Sequence, residues 1–207
     1  MKGINTQRHW IAGNNSLSCD QNAMNLVHQF FKVRYIYNYT GCLRPETTNV
    51  IRIPLGAETI IDVGNNYDLN MDLKTKKNKK FWELFLYCEK EIIKGYSFLH
   101  IPKEKEYYDS LYTLPNESRE CGTYVYPEFR GQGIRGKILA RQIEYSIENN
   151  RTIWAVIEKF NIASIRSALK CSAKRTKTNL LLKFMGKNVF SITTNPVSVI
   201  FCCGRNK

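Results

Sequence analysis

Hydrophobic and polar positions follow different periods along this chain, and each change of period marks an element. Over residues 20–33, Met24, Val27, Phe30 and Phe31 recur at helical spacing, with Ser18 and Asp20 as candidate N-caps, which predicts a helix. Residues 49–54 and 59–63 read as short strands, and 64–72 as a polar loop running into a lysine-rich stretch over 74–80. The pattern sharpens from Phe81. Residues 81–88 are almost wholly apolar or aromatic, as in a buried strand. Residues 89–95 read as a turn and 96–101 as a second strand antiparallel to the first. In the strand 118–126, Cys121, Thr123 and Val125 alternate with Gly122, Tyr124 and Tyr126.

A helix follows, with Ile134, Ile138, Leu139, Ile143 and Ile147 as its apolar stripe and Asn149 and Asn150 as its stop. Residues 152–157 are apolar enough for the interior of a sheet. Asn161 then caps a second helix, predicted to turn Ile162, Ile165, Ala168 and Leu169 inward. Arg166, Lys170, Lys174 and Arg175 form its basic face. Residues 178–184, 189–193 and 197–202 close the chain as β-structure, with a hairpin turn at 185–188. Residues 1–80 give the weaker pattern throughout.

Composition narrows the class. At 207 residues the chain suffices for one well-cored domain. No apolar run reaches the roughly 18 residues of a spanning helix, and the N-terminus lacks the apolar centre of a signal peptide, so a cytoplasmic protein is expected. The seven cysteines are scattered and form no CxxC pair. His9, His28 and His100 stand at no ligand spacing to them, so neither a disulfide framework nor a metal site is expected. The net charge of +13 implies an anionic partner: nucleic acid, a phosphorylated cofactor or a nucleotide-linked substrate. The lysine run carries no interleaved aromatics for base stacking and reads as a solvated loop.

The strongest local signal is Val125-Tyr-Pro-Glu-Phe-Arg-Gly-Gln-Gly-Ile-Arg-Gly-Lys-Ile138: a strand end, a polar turn, glycines and a helix start. Glycines allow positive φ, and a helix start offers unpaired N–H groups, so the segment reads as a phosphate cradle. Gly131, Gly133 and Gly136 satisfy GxGxxG by spacing. A dinucleotide loop, however, needs its first glycine directly after the strand, and Pro127 to Arg130 intervene. Gly131 to Lys137 nearly satisfies the P-loop pattern, but Ile138 stands where a magnesium-binding hydroxyl is required.

A third reading takes in the flanks. Arg130-Gly-Gln-Gly-Ile134 between a strand and a helix, then a strand, then Asn161-Ile-Ala-Ser164 with Lys170 nine residues after the asparagine, resembles the GNAT N-acetyltransferase superfamily. The resemblance covers roughly residues 80–203 and fits the first 80 only loosely. It implies a single α/β (α+β) domain over 1–207, its core in 81–203: a mixed, mostly antiparallel sheet flanked by helices with a central acyl-coenzyme A cleft. It implies that Arg130, Gly131, Gln132, Gly133, Ile134, Arg135 and Gly136 hold the coenzyme A pyrophosphate. Tyr124, Val125 and Tyr126 are to run along the pantetheine arm, with Asn161, Ser164 and Lys170 on the cofactor side of the cleft. The sequence departs from the family pattern in three places, one of them Ser172-Ala173 where Gly-Phe usually closes the second helix. Arg135 replaces a Gly or Ala and is expected to point outward, toward solvent or phosphate. Ala168 replaces a tyrosine that protonates the leaving thiolate.

The implied reaction moves an acetyl group from acetyl-CoA directly to a primary amine, without a metal. Attack needs a neutral amine, a donor for the oxyanion and a stabilised leaving thiolate. The amide of Val125 or Tyr126 is the candidate oxyanion donor. Glu120 is the candidate base, or else a solvated strand end; Glu158 and Glu83 are reserves. Tyr126 or Tyr124 is the candidate acid, or else a packed strand residue. His100 is a candidate base or a packed strand histidine, and Cys121 and Cys171 read as structural. The net charge favours a small acceptor that is anionic or nucleotide-linked. The alternatives are a protein amine and a non-enzymatic module binding nucleic acid or another anion. No membrane partner is expected, and oligomeric state stays open.

Overall fold

The computed structural model describes residues 30–40, 49–55, 69, 73, 81–184, 187–194 and 197–201. The strands are β1 (Phe31–Tyr39), β2 (Val50–Leu55), β3 (Trp82–Glu89), β4 (Ile92–His100), β5 (Glu106–Tyr108), β6 (Leu111–Thr113), β7 (Glu117–Val125), β8 (Thr152–Glu158), β9 (Ala173–Phe184), β10 (Lys187–Thr193) and β11 (Ser198–Phe201). Helices α1 (Ile134–Glu148) and α2 (Ile162–Lys170) flank β8 in sequence. Nine strands form one sheet in the order β11-β10-β9-β1-β8-β7-β4-β3-β2, and β5 and β6 pair separately. The described class is thus α/β, with a mixed, mostly antiparallel sheet: among the described strands only β7 and β8 run parallel.

That parallel pair organises the molecule. Two parallel neighbours cannot be joined by a hairpin, so the chain must cross over, and α1 is the crossover. One face of α1 buries Ile134, Ile138, Leu139 and Ile143 against Phe85, Tyr87, Leu99, Ile153 and Ala155. Ala168 and Cys171 extend this cluster from α2 and its C-terminal cap. Alternate residues of the same strands point the other way. Trp82, Leu84, Leu86, Tyr96 and Phe98 form a second cluster with Leu55 and Leu69. Because both faces are covered, β3 is buried over most of its length, which is why residues 82–88 are apolar or aromatic apart from Glu83.

Several expectations are corrected. The helix predicted over 20–33 lies mostly outside the described residues, but Phe31, Lys32 and Val33 are strand. β1 sits between β8 and β9, antiparallel to both. It carries a buried Arg34, which donates to Asn179 Oδ1 (2.8 Å) and to Asp109 Oδ2 (2.8 Å). Arg119 of β7 shares the same carboxylate at 2.9 Å. Two guanidiniums on one carboxylate therefore tie β1 and β7 to the β5–β6 turn, where Asp109 and Ser110 adopt positive φ. The polar loop expected at 64–72 contains Leu69, which is helical and fully buried. The strand expected at 59–63 lies outside the described residues.

The turn expected over 89–95 is shorter. Lys90 and Glu91 at positive φ make it, and β4 has begun by Ile92. Gly95 is a strand residue whose missing side chain lets three elements approach. A Cβ there would stand 3.0 Å from Tyr124 O, 3.2 Å from Ile134 Cγ2 and 3.3 Å from Val125 Cγ2. Two of these contacts are on β7 and one on the first residue of α1. In α2, Ala168 is buried as expected, while Ile162 and Leu169 are half exposed.

Gly95→Ala is accordingly expected to overpack the junction of β4, β7 and α1. Urea unfolding should register a loss of about 1–3 kcal/mol.

Candidate active site

The parallel pairing of β7 and β8 runs from Glu117↔Thr152 to Glu120↔Ala155 and stops there. Both strands continue, β7 to Val125 and β8 to Glu158, with no further pairing to each other. Gly122 at positive φ shifts the β7 register on β4 and carries β7 away from β8. The gap exposes main-chain groups. Tyr126 N–H donates to Lys94 O (3.1 Å) on the β4 side. Successive strand residues direct these groups to opposite edges, so Val125 N–H and C=O face the gap. The Val125 carbonyl accepts from Arg130 Nε at 3.0 Å.

Past β7, Pro127–Phe129 form a single 3₁₀ turn, and Gly131 (φ 81°) and Gly133 (φ 72°) bring the chain to the start of α1. A Cβ on either glycine would meet nothing within 4 Å. The backbone conformation, not crowding, calls for glycine there. Gly133 is the N-cap, so the amides of Ile134, Arg135 and Gly136 have no partner within the helix. They face a groove of about 500 Å³ walled by Thr123, Tyr124 and Val125 on one side and by α2 on the other. Arg130, Arg166 and Lys170 stand around it with no acidic side chain among the lining residues. Asn161 caps the start of α2, its Oδ1 accepting from Ser164 N–H at 3.1 Å.

A second cavity of about 300 Å³ opens between the splayed strands, bounded by Glu120, Gly122, Ala155, Glu158 and Asn161. Thr123, Arg135 and Ser164 line both cavities and so form their common wall.

A buried hydrogen-bond network supports that wall. The Glu120 carboxylate accepts from Tyr39 Oη (2.6 Å), Thr123 Oγ1 (2.6 Å) and Arg135 Nη2 (3.2 Å). Since the Thr123 hydroxyl donates to Glu120, it accepts from Ser97 Oγ (2.7 Å), which in turn accepts from Gln142 Nε2 (3.0 Å). Burial pushes the Glu120 carboxyl up, but the Arg135 charge and the hydrogen bonds from Thr123 and Tyr39 outweigh it and hold the group below its ordinary value. Burial also acts against the Arg135 cation, and the facing Glu120 more than restores it. Tyr39 is pushed well up by burial and then by the Glu120 charge, so its phenol stays protonated.

Most of the residues picked out in sequence meet here. Tyr124, Val125, Arg130, Gly131, Gly133, Ile134, Arg135, Gly136, Ser164 and Lys170 line the first groove. Asn161 lines the second cavity instead, and Glu120 sits beneath the shared wall. Gln132 is exposed and lines neither cavity. Tyr126 also lines neither, its ring packing edge-on to Tyr96 (6.4 Å) and Tyr124 (5.3 Å). Its amide is committed to Lys94, which leaves Val125 as the main-chain donor facing the gap. Arg135 does not point outward. Its side chain turns into the splay, where Nη1 donates to Ser164 O at 2.8 Å.

The reserve bases lie elsewhere or are engaged. Glu83 is bonded to Arg52 and Tyr145, and His100 is buried, stacked on Trp82 and bonded to Glu106. Glu158 pairs with Lys32 at the rim of the second cavity. Cys171 is a buried thiol pushed up by its burial. Thr123 and Tyr39 were not legible as site residues. Thr123 lies directly before the strand residues singled out above, whereas Tyr39 reaches Glu120 across 81 positions with no local signal.

No protein-family model matches the sequence, and no curated protein matches it. Solved structures do. An acetyltransferase of the GNAT family from Novosphingobium aromaticivorans, itself described as putative, superposes with a TM-score of 0.53 at 9% identity, over 72% of this chain and 62% of that one. A GNAT-family acetyltransferase from Colwellia psychrerythraea gives 0.45 at 16% identity, over 79% and 61%. A GCN5-related N-acetyltransferase from Sphaerobacter thermophilus gives 0.45 at 12%, over 78% and 55%. The matched part is thus about three fifths of each of the first two chains. The sheet, with one splayed parallel pair among its described strands, together with the first of these superpositions, gives this chain the fold of the GNAT acetyltransferases.

Proposed function

We propose that the protein transfers an acyl group, most simply acetyl, from acyl-coenzyme A to a primary amine. One observation carries the reading: a cation-rimmed groove at a helix start and a carboxylate-bearing cavity meet at the gap between two parallel strands. The residues fit coenzyme A. The amides of Ile134, Arg135 and Gly136 with Arg130, Arg166 and Lys170 suit a pyrophosphate and a third phosphate. The edge of β7 at Val125 offers a donor and an acceptor to the amides of an extended arm. Bound there, coenzyme A supplies an acyl group activated as a thioester.

The protein's own groups supply alignment and charge. Val125 N–H faces the gap and is the natural donor to a developing oxyanion. Glu120 is a poor proton acceptor, because three donors hold it ionised. It is better placed to anchor Arg135 and Thr123 than to collect a proton. Glu158, at the rim of the second cavity, is the more accessible carboxylate for an incoming ammonium group. Ala168 is fully buried in the core, so α2 offers no hydroxyl at that position.

Charge separates the two cavities. The lining cations concentrate on the cofactor side, where phosphates account for them. The acceptor cavity has Glu120 and Glu158 against Arg135. With Lys32 on Glu158 the two carboxylates face two cations, so this lining gives an anionic or nucleotide-linked acceptor no excess positive charge, while the half-exposed Glu158 offers a partner to a cationic amine such as a polyamine or a lysine side chain. A panel of both acceptor classes, read by release of free thiol, tests the reading. Transfer to some amine is expected, and thiol release from none of them would contradict it.

Coenzyme A is expected to raise the melting temperature, with about 2.7 kcal/mol of stabilisation at one hundred times its dissociation constant. Stabilisation only by nucleic acid, lost as salt rises, would favour the non-enzymatic alternative. Gly133→Val forces a branched side chain into positive φ, at a cost of about 1–2 kcal/mol, and should abolish the response to coenzyme A.

Glu120 is held below its unfolded value, so the unfolded chain takes up its proton first as pH falls. The stability it contributes is present above about pH 4.3 and is lost as pH drops toward its folded value. Glu120→Gln should lower stability at neutral pH and flatten that acid limb in thermal scans at stepped pH.

A further inference from the structure

Arg135 stands where the family pattern has Gly or Ala, and its side chain lies in the common wall of both cavities. Its guanidinium is largely buried, with 16% of the side chain exposed. An arginine carries five N–H donors. Among the described residues one is taken by Ser164 O and one by Glu120 Oε1, which leaves the others without a protein partner. A buried cation with spare donors at the meeting point of two cavities has the chemistry of an anion stabiliser. At position 168, where the family pattern has a tyrosine, α2 carries Ala168, buried in the core, and so brings no phenol to the wall.

We propose that Arg135 is a catalytic residue that holds the departing coenzyme A thiolate in place of a proton donor, its guanidinium hydrogen-bonding the sulfur as charge develops. The proposal rests on reading the groove as a coenzyme A site. In the step, the neutral amine nitrogen forms a bond to the acyl carbon and the carbon–sulfur bond breaks. The electron pair leaves on sulfur, and the nitrogen releases its proton to solvent. Arg135 keeps all its protons, and the thiolate is reprotonated from solvent on release. The Glu120–Arg135 pair sets the geometry. Glu120 spreads its charge over Thr123 and Tyr39 as well, so the guanidinium is only partly neutralised. The titratable groups around the guanidinium are Glu120 on β7, Tyr39 on β1 and Cys171 at the end of α2.

The test requires no acceptor. Coenzyme A carrying ¹³C beside its sulfur is bound to the protein, and its thiol is titrated by NMR. The bound thiol should ionise about one pH unit below that of free coenzyme A measured alongside, giving about tenfold more thiolate at neutral pH. In wild type, the Arg135 side-chain ¹⁵N resonances should move with the same midpoint. Arg135→Gln should restore the ordinary value while coenzyme A still binds, and Arg135→Lys should keep part of the depression. An unshifted thiol in wild type, silent Arg135 resonances, or a shift that survives in Arg135→Gln would overturn the proposal. The last of these would assign the effect to the helix start. Failure of wild type to bind coenzyme A at all would instead refute the groove itself. Should Arg135→Gln not fold, the two wild-type readouts decide alone.

Discussion

The structure depends on an interrupted hydrogen-bond ladder. β7 and β8 pair as parallel strands only up to Glu120 and Ala155, then separate while remaining extended. An unpaired strand edge inside a sheet is costly unless something else meets its N–H and C=O groups. Here the Arg130 side chain meets Val125 O, and the Arg135–Glu120 pair with its bond to Ser164 O bridges α1, β7 and α2 around the gap. The opening is thus built into the network. The same elements that hold it open present the helix-start amides to one side and the carboxylates to the other.

Removing either member of this buried ion pair would leave its partner charged in a nearly dry site, the situation in which buried pairs matter most to stability. Glu120 is held ionised chiefly by the opposing Arg135 charge and the Thr123 and Tyr39 hydroxyls, against its own burial. An ordinary general base needs the reverse, a value drawn up toward working pH. On the proposed function, this shifts the weight from proton transfer to fixed charge, in keeping with a cation at the junction and no tyrosine on α2.

The second half of the chain was largely legible. The stripe from Ile134 to Ile147, the Asn161 cap and the apolar run of β8 are local patterns, and each became the expected element. Ile147 itself is exposed, since it lies beyond the stretch that meets the sheet. What was not legible depended on distant partners. Phe31 and Val33 fall within a helical pattern in sequence, yet their strand state in β1 is secured by β8 and β9, more than a hundred positions away. Gly95 reads as a turn residue but serves a close approach of β4, β7 and α1. Arg135 reads as an outward side chain at a helix start. Only the topology reveals that Glu120 waits for it inside the splay. Periodicity turns Ile162 and Leu169 inward, but α2 buries a stripe too narrow to include them.

The proposed function depends on phosphate recognition by the start of α1. Isothermal titration of the protein with coenzyme A and with pantetheine, its phosphate-free arm, tests this most directly. Coenzyme A should bind with a salt-sensitive affinity at least about a hundredfold above that of pantetheine, as befits several charge-assisted hydrogen bonds. Equal affinities, or no heat with coenzyme A, would contradict the account.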